Sequence, residues 1–196
     1  MIKNVKIVEL DKSWKGRVFV YHYTTSFYYD LELLDKADGS FCFCLTKKAF
    51  EEPTEKQFEG SLFSDWLFEP VAYGAFDGDT LLGVMCLSVE DWSQRLRVAE
   101  LWVDEPFRHQ GVGKKLMAKA IDYARSNNLR GLVLETQSCN EPAIRFYRSC
   151  GLRFIGLDAT HYSNDDILKR EVRLEMGLDL PDFELGEQQG ADGGNP

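Results

Sequence analysis

Hydrophobic and polar residues alternate along the first half of the chain, which is the pattern of strands that bury one face. KNVKIVEL, near the start, alternates in this way. TTSFYYDLELL and SFCFCLTKKAF do so as well, and they flank DKADG, a turn sequence, so they predict an N-terminal β-hairpin. Residues 51–68 are mixed and predict a loop with a short helix, and residues 70–90 predict two strands around the turn DGD.

The second half alternates strands with helices. A strand over 95–104 leads through the loop EPFRHQ into a helix over 110–126, whose apolar residues share one face. The apolar strand GLVLETQ follows, and Asn140 is placed to cap a second helix that Gly151 ends. LRFIGLDA and KREVRLEMGL predict the last two strands. This order predicts a mixed sheet covered by helices.

The pattern predicts one α/β (α+β) domain over residues 1–180. Residues 181–196 are polar and glycine-rich, which predicts a flexible tail. No apolar run approaches the roughly 18 residues of a membrane span, and MIKNVKIVEL lacks the pattern of a signal peptide. A cytoplasmic protein without a membrane partner is therefore expected.

Charge and cysteine content exclude some classes of function. The net charge of −9 argues against nucleic-acid binding and is compatible with a cationic small-molecule substrate. The five cysteines form no CxxC pair and are interpreted as small buried hydrophobic residues. With three scattered histidines, they predict no metal site.

The segment RHQGVGK, residues 108–114, stands between a strand and a helix and predicts a phosphate site. A P-loop is excluded, because Arg108 and Lys115 replace its first glycine and its Ser or Thr. A Rossmann fingerprint is disfavoured, because Leu116 stands at its third glycine. A purely structural helix start remains an alternative for the GxG pair by itself.

RHQGVG resembles the (Q/R)xxGxG/A loop of the GNAT N-acetyltransferases. AELWVDEPFRHQGVGKKLM is similar to their fourth strand, loop and third helix, and LVLETQSCNEPAIRFYRSCGLRF to their fifth strand, fourth helix and sixth strand. Within the superfamily, the chain most resembles streptothricin acetyltransferases. The resemblance implies a mixed, mostly antiparallel sheet of six or seven strands that splays between strands 4 and 5 and is flanked by helices, with the hairpin as an addition.

The resemblance implies transfer of an acetyl group from acetyl-CoA to an amine, without a metal. Main-chain groups of the fourth strand would pair with the pantetheine arm, and the loop amides would hold the pyrophosphate. The residues that the resemblance places at acetyl-CoA are Leu101, Val103, Arg108, Gln110, Gly111, Val112, Gly113, Lys114 and Asn140.

Two residues match the family's acid–base positions. Glu100 is the candidate base, and strand alternation places it with Val98 and Trp102 on one side, opposite Ala99, Leu101 and Val103. Tyr147 is the candidate general acid, two helical turns after Asn140. A surface carboxylate and a tyrosine packed in the core are the structural alternatives.

Glu135 and Trp102 are the candidates for binding the acceptor, since carboxylates and aromatic faces both suit ammonium groups. A buried hydrogen-bonding role is the alternative for Glu135. The acceptor is predicted to be a primary amine on a small cationic molecule, such as the β-lysine arm of a streptothricin. A peptide or protein amine and a non-catalytic acyl-CoA-binding regulator remain as alternatives, and a homodimer is compatible with the sequence.

Overall fold

The computed structural model describes residues 4–35 and 37–181. Its strands are β1 Lys6–Leu10, β2 Val18–Asp35, β3 Phe41–Ser61, β4 Val71–Asp77, β5 Thr80–Glu90, β6 Arg95–Val103, β7 Gly131–Gln137, β8 Arg153–Asp158 and β9 Arg173–Asp179. Its helices are α1 Val112–Ser126, α2 Glu141–Ser149 and the short α3 Asp166–Lys169. Single 3₁₀ turns lie at Lys12–Trp14, Asp91–Ser93 and Glu105–Phe107. The pattern had not predicted α3.

Seven strands form one mixed sheet in the order β1-β4-β5-β6-β7-β9-β8. All neighbouring pairs are antiparallel except β6 and β7, which are parallel. The β6–β7 pairing is confined to Arg95–Arg97 against Gly131–Val133, although both strands continue beyond it. The sheet therefore splays between these two strands, as the sequence predicted.

The two faces of the sheet carry separate cores. Helix α1 buries Leu116, Met117 and Ala120 against one face, so the predicted apolar stripe is confirmed. On the other face, a second cluster that includes Phe19, Leu62 and Val84 joins the sheet to the hairpin.

The hairpin of β2 and β3 is much longer than predicted. The loop expected over 51–68 is wrong for 51–61, because β3 runs to Ser61 and pairs with β2 from Val18 onward. The short helix expected in the same segment is also wrong, because residues 62–69 form turns and bends without a helix. Residues 51–61 are polar at most positions on both faces of the strand, so no hydrophobic alternation indicated a strand there. Pro53 is tolerated because the register shifts between the Phe27–Ala49 and Thr25–Thr54 pairs.

The cysteine interpretation is only partly right. Cys86 and Cys139 are buried, whereas Cys44 is exposed and Cys42 and Cys150 are half-buried. None of the helices in the described part of the chain is long and apolar enough to cross a membrane. The predicted tail lies outside the described residues, except for Pro181.

Candidate active site

The start of α1 is shaped to receive an anion. Gly111 precedes the helix with φ +85°, a left-handed conformation that favours glycine. A Cβ on Gly111 would meet no heavy atom within 4 Å, so the backbone is uncovered on that side. The first-turn amides of a helix have no partners within the helix, so they are available to an anion. The residues present therefore fit the pyrophosphate group that the sequence predicts here.

Gly113 has a packing role that the sequence did not reveal. A Cβ at this position would lie 3.0 Å from Cζ of Phe146 and 3.2 Å from its Cε2. The ring of Phe146 on α2 therefore rests against the first turn of α1. This contact fixes α2, the helix that carries Tyr147, against the start of α1.

The Arg108 side chain makes two hydrogen bonds to main-chain carbonyls. Its Nε donates to the carbonyl of Val103 over 3.1 Å, and its Nη1 donates to the carbonyl of His22 over 2.7 Å. The guanidinium therefore ties the loop to the end of β6 and to the hairpin. Gln110 similarly donates from Nε2 to the carbonyl of Pro106, Val112 is buried, and Lys114 is exposed.

Strand β6 presents backbone to the gap. Pairing with β7 ends at Arg97, whereas β6 continues to Val103. The side chains of Leu101 and Val103 pack into the core on the α1 side. This is the segment that the sequence predicted to pair with a pantetheine arm.

A β-bulge at Ala99 changes which side chains of β6 share a face of the sheet. Cys86 of β5 pairs with Glu100 and Leu87 pairs with Val98, so Ala99 is an extra residue. Val98 consequently packs with Leu101 and Val103 in the α1-side core. The predicted grouping of Val98 with Glu100 and Trp102 is therefore wrong, because simple alternation does not hold across a bulge.

Glu100 faces the hairpin side of the sheet and meets Tyr21. The Tyr21 hydroxyl donates to Glu100 Oε2 over 2.5 Å. Burial raises the pKa of the Glu100 carboxyl, the hydrogen bond from Tyr21 opposes that rise, and the negative charge of Glu135 adds to it. The sequence did not reveal Tyr21, because its strand segment was not predicted.

Tyr147 lies on α2 with its ring 5.4 Å from that of Phe146. Burial raises the pKa of its phenol, and Cys150, Glu100 and Glu135 raise it further. The structure thus brings Tyr147 and both predicted carboxylates into one electrostatic neighbourhood. Asn140 caps α2, with its side chain accepting from the amide of Ala143.

Glu135 belongs to a charged cluster on β7 and β9. Tyr162 donates to Oε2 of Glu135 over 2.9 Å, and Arg173 Nε approaches the same oxygen at 3.1 Å. Arg173 also binds Glu175 at 2.7 Å. The Glu135 side chain is 37% exposed, so it remains accessible to a ligand. The sequence did not reveal Tyr162 and Arg173, because both are distant from Glu135 in sequence: Arg173 reaches it from the neighbouring strand β9, and Tyr162 from the segment between β8 and α3.

Trp102 lies on the hairpin side, away from Glu135. Its Nε1 donates to the carbonyl of Val20 over 2.8 Å, and its indole ring centre lies 5.1 Å from that of Phe19. It lines a half-open cleft of about 450 Å³ with Asp104, Glu105 and Arg108 among its other walls. Neither Glu100 nor Glu135 lines this cleft. Within residues 4–35 and 37–181, no group of three or more His, Cys, Asp or Glu side chains is arranged to hold a metal ion.

Comparison with known proteins matches this arrangement to one family. The family model of the acetyltransferase (GNAT) family matches residues 19–152. Streptothricin acetyltransferase of Streptomyces lavendulae is 42% identical over 111 residues, which are 57% of this chain and 57% of that protein. The chain therefore matches just over half the length of that relative.

Two solved structures share the fold over nearly the whole chain. Nourseothricin acetyltransferase superposes with a TM-score of 0.71 at 26% identity, over 90% of this chain and 99% of its own. A Bacillus anthracis protein solved in complex with acetyl coenzyme A superposes with a TM-score of 0.65 at 22% identity, over 92% of this chain and 99% of its own. At the latter identity the likeness concerns the fold alone.

Proposed function

The chain belongs to the acetyltransferase (GNAT) family, and we propose that it transfers the acetyl group of acetyl-CoA to a primary amine of a small cationic molecule, with a streptothricin-type antibiotic as the acceptor. The observation that carries this proposal is the splay itself: pairing between β6 and β7 ends at Arg97 and Val133, whereas β6 continues past Glu100 to Val103. The electrostatic interaction of Tyr147 with Glu100 supports roles for both residues there. One residue accepts a proton and the other donates one, which is what acyl transfer from a thioester to an amine requires.

Acetyl-CoA would lie in the splay. The amides of Gln110, Gly111, Val112, Gly113 and Lys114 would hold its pyrophosphate at the start of α1. The backbone of Leu101 and Val103 would pair with the pantetheine arm as an added strand. Arg108 serves this site indirectly, because its bonds to two carbonyls hold the loop in place.

The chemical step moves three protons. A primary ammonium has a pKa of about 10.4, so it must lose a proton before it attacks the thioester carbon. Glu100 accepts that proton, directly or through a water, and the neutral amine then forms the C–N bond. The C–S bond breaks as Tyr147 donates its proton to the departing thiolate, and the second proton released by the new amide nitrogen restores the Tyr147 phenol. Burial raises the pKa of the Tyr147 phenol, so Tyr147 keeps its proton until the thiolate forms.

The acceptor would bind between the hairpin and Glu135. The hydrogen bond from Tyr162 and the ion pair with Arg173 both end on Oε2 of Glu135, so Oε1 makes no bond to a described residue. An ammonium group is the natural partner for this oxygen. The hairpin lies over the splay, since Tyr21 bonds to Glu100 and Tyr23 bonds to Gln137 across it. This cover favours a compact acceptor over an extended peptide.

An acceptor panel tests the proposal. Release of CoA thiol from acetyl-CoA is measured with streptothricin, other aminated antibiotics, polyamines and short peptides. We expect the highest kcat/KM with streptothricin. If a peptide gave the highest kcat/KM, the acceptor would be a peptide amine, and the reaction would still be acetyl transfer. Tight acetyl-CoA binding without turnover on any amine would support an acyl-CoA-binding regulator instead.

A further inference from the structure

The hairpin reaches the candidate base through one side chain. Tyr21 on β2 and Glu100 on β6 are 79 residues apart in sequence, and the Tyr21 hydroxyl donates to Glu100 Oε2 over 2.5 Å. Because the two residues are so far apart in sequence, they can form this bond only when the hairpin is docked on the sheet. The geometry of Glu100 is therefore coupled to the position of the hairpin.

We propose that Tyr21 is a positioning residue for Glu100: through its hydroxyl the hairpin aims the carboxylate and keeps it ionised for the incoming amine. This inference rests on the proposed function, since it takes Glu100 as the base. Tyr21 itself neither gains nor loses a proton in the reaction.

Tyr21 is held rigidly on its own strand. Phe58 is its cross-strand partner on β3, and the two rings stack with centroids 4.6 Å apart and planes 6° from parallel. Burial and the neighbouring Glu100 raise the pKa of the Tyr21 phenol well above its ordinary value. The hydroxyl therefore keeps its proton, and it remains a donor throughout the working pH range.

Gly60 makes room for this pair. A Cβ at Gly60 would lie 2.5 Å from Glu100 Oε2 and 2.9 Å from Tyr21 Cε2. Any side chain on Gly60 would displace either the carboxylate or the phenol. The hairpin thus contributes three features around the Glu100 carboxylate: the donor Tyr21, its stacking partner Phe58 and the space left by Gly60.

The other groups around Glu100 do not replace the donor. Tyr147 from α2, Glu135 from β7 and Cys86 from β5 are the further titratable groups that interact with it. None of these three carries a positive charge, and Glu135 disfavours ionisation of Glu100. Tyr21 is the side chain that favours the ionised form, with support from the backbone of Ser61.

The first test needs no acceptor. Protein labelled with ¹³C at glutamate Cδ is titrated by NMR, and Glu100→Gln identifies the Glu100 resonance. We expect Tyr21→Phe to raise the titration midpoint of Glu100 by about one pH unit, because the carboxylate loses a hydrogen bond that favours its charged form. Tyr23→Phe is the matched control, since the Tyr23 hydroxyl bonds to the neutral Gln137, and it should leave the midpoint unchanged.

Gly60→Ala tests the same contact while keeping the phenol. Its added Cβ should push the carboxylate off the Tyr21 hydroxyl and raise the midpoint in the same direction. Glu59→Ala, on the adjacent exposed position, should not. A midpoint that stays at the wild-type value in both Tyr21→Phe and Gly60→Ala would overturn the inference.

The pH profile of kcat/KM then separates this inference from the proposed function. The acidic limb should move upward with the NMR midpoint in Tyr21→Phe, which lowers kcat/KM about tenfold at a pH below both midpoints. If Glu100→Gln keeps wild-type turnover, the base assignment itself fails. If Glu100→Gln is inactive but Tyr21→Phe leaves the limb in place, only the role of Tyr21 fails.

Discussion

At the scale of single residues, the surroundings of Glu100 and Tyr147 set the pH at which each can transfer a proton. Both side chains sit where burial disfavours charge, which raises the pKa of the carboxyl and of the phenol alike. In the proposed mechanism, a raised pKa would make Glu100 a better proton acceptor and would keep Tyr147 protonated until a thiolate forms. The same environment therefore suits the two residues to the opposite roles proposed for them.

Replacement of Tyr147 tests the acid directly. We expect Tyr147→Phe to lower kcat about 100-fold or more, because positioned proton donors commonly contribute that much. The Kd for acetyl-CoA, measured by calorimetry, should change little, since the ring is retained. Tyr123→Phe on α1 is the matched control and should keep wild-type turnover. Unchanged turnover in Tyr147→Phe would remove Tyr147 from the mechanism.

The pH dependence of the wild-type enzyme follows from Glu100. The base works only when ionised, so kcat/KM should fall as the pH is lowered through the pKa of Glu100. Because that pKa is raised, the fall should begin above the ordinary glutamate value of about 4.3. A profile that is flat down to the pH of acid unfolding, with the fold monitored by circular dichroism, would argue against an ionisable base at this position.

At the scale of elements, one contact joins the proposed anion-binding loop to the helix that carries the proposed proton donor. The Phe146 ring lies 3.0 Å from where a Cβ on Gly113 would stand, and the next residue is Tyr147. The glycine of the loop motif is thus also favoured by helix packing. In the proposed mechanism, cofactor binding and positioning of the acid would share this contact.

Gly113→Ala tests this shared contact. The new methyl group would press on Phe146 at 3.0 Å. Overpacking of this kind typically costs about 1–3 kcal/mol, whereas alanine gains up to about 1 kcal/mol over glycine within a helix. We expect a net loss of about 1 kcal/mol in the free energy of urea unfolding, together with weaker acetyl-CoA binding. Lys115 is exposed on the same turn, so Lys115→Ala should change neither the free energy of unfolding nor the binding of acetyl-CoA. A variant as stable as wild type would show that α2 can move away without cost.

At the scale of the whole molecule, the hairpin is the element that closes the site. It bonds to β6 through Tyr21 and to β7 through Tyr23, the two strands that separate to form the splay. It is also tied to α2 by Lys47–Glu141 and to the segment before β9 by Lys56–Glu171. The splay between β6 and β7 is therefore covered by the hairpin, which lies outside the seven-stranded sheet.

Sequence reasoning succeeded where signals are local. The stripe on α1, the cap at Asn140 and the loop around Gly111 each depend on neighbours within a few residues, and each is confirmed as structure. It failed where pairing is long-range. The length of β3, the bulge at Ala99 and the Tyr162–Glu135–Arg173 contacts depend on register between distant segments, which no local pattern encodes.

The measurement that tests the central claim most directly is the identification of the product formed from acetyl-CoA and streptothricin. Mass spectrometry and NMR would locate the acetyl group while thiol release is counted. The account predicts one CoA released per acetyl group, with the group on a primary amine of the β-lysine arm and no product from Glu100→Gln. Acetylation by Glu100→Gln at the wild-type rate, or no acetylated antibiotic from a wild-type protein that acetylates peptides, would contradict it.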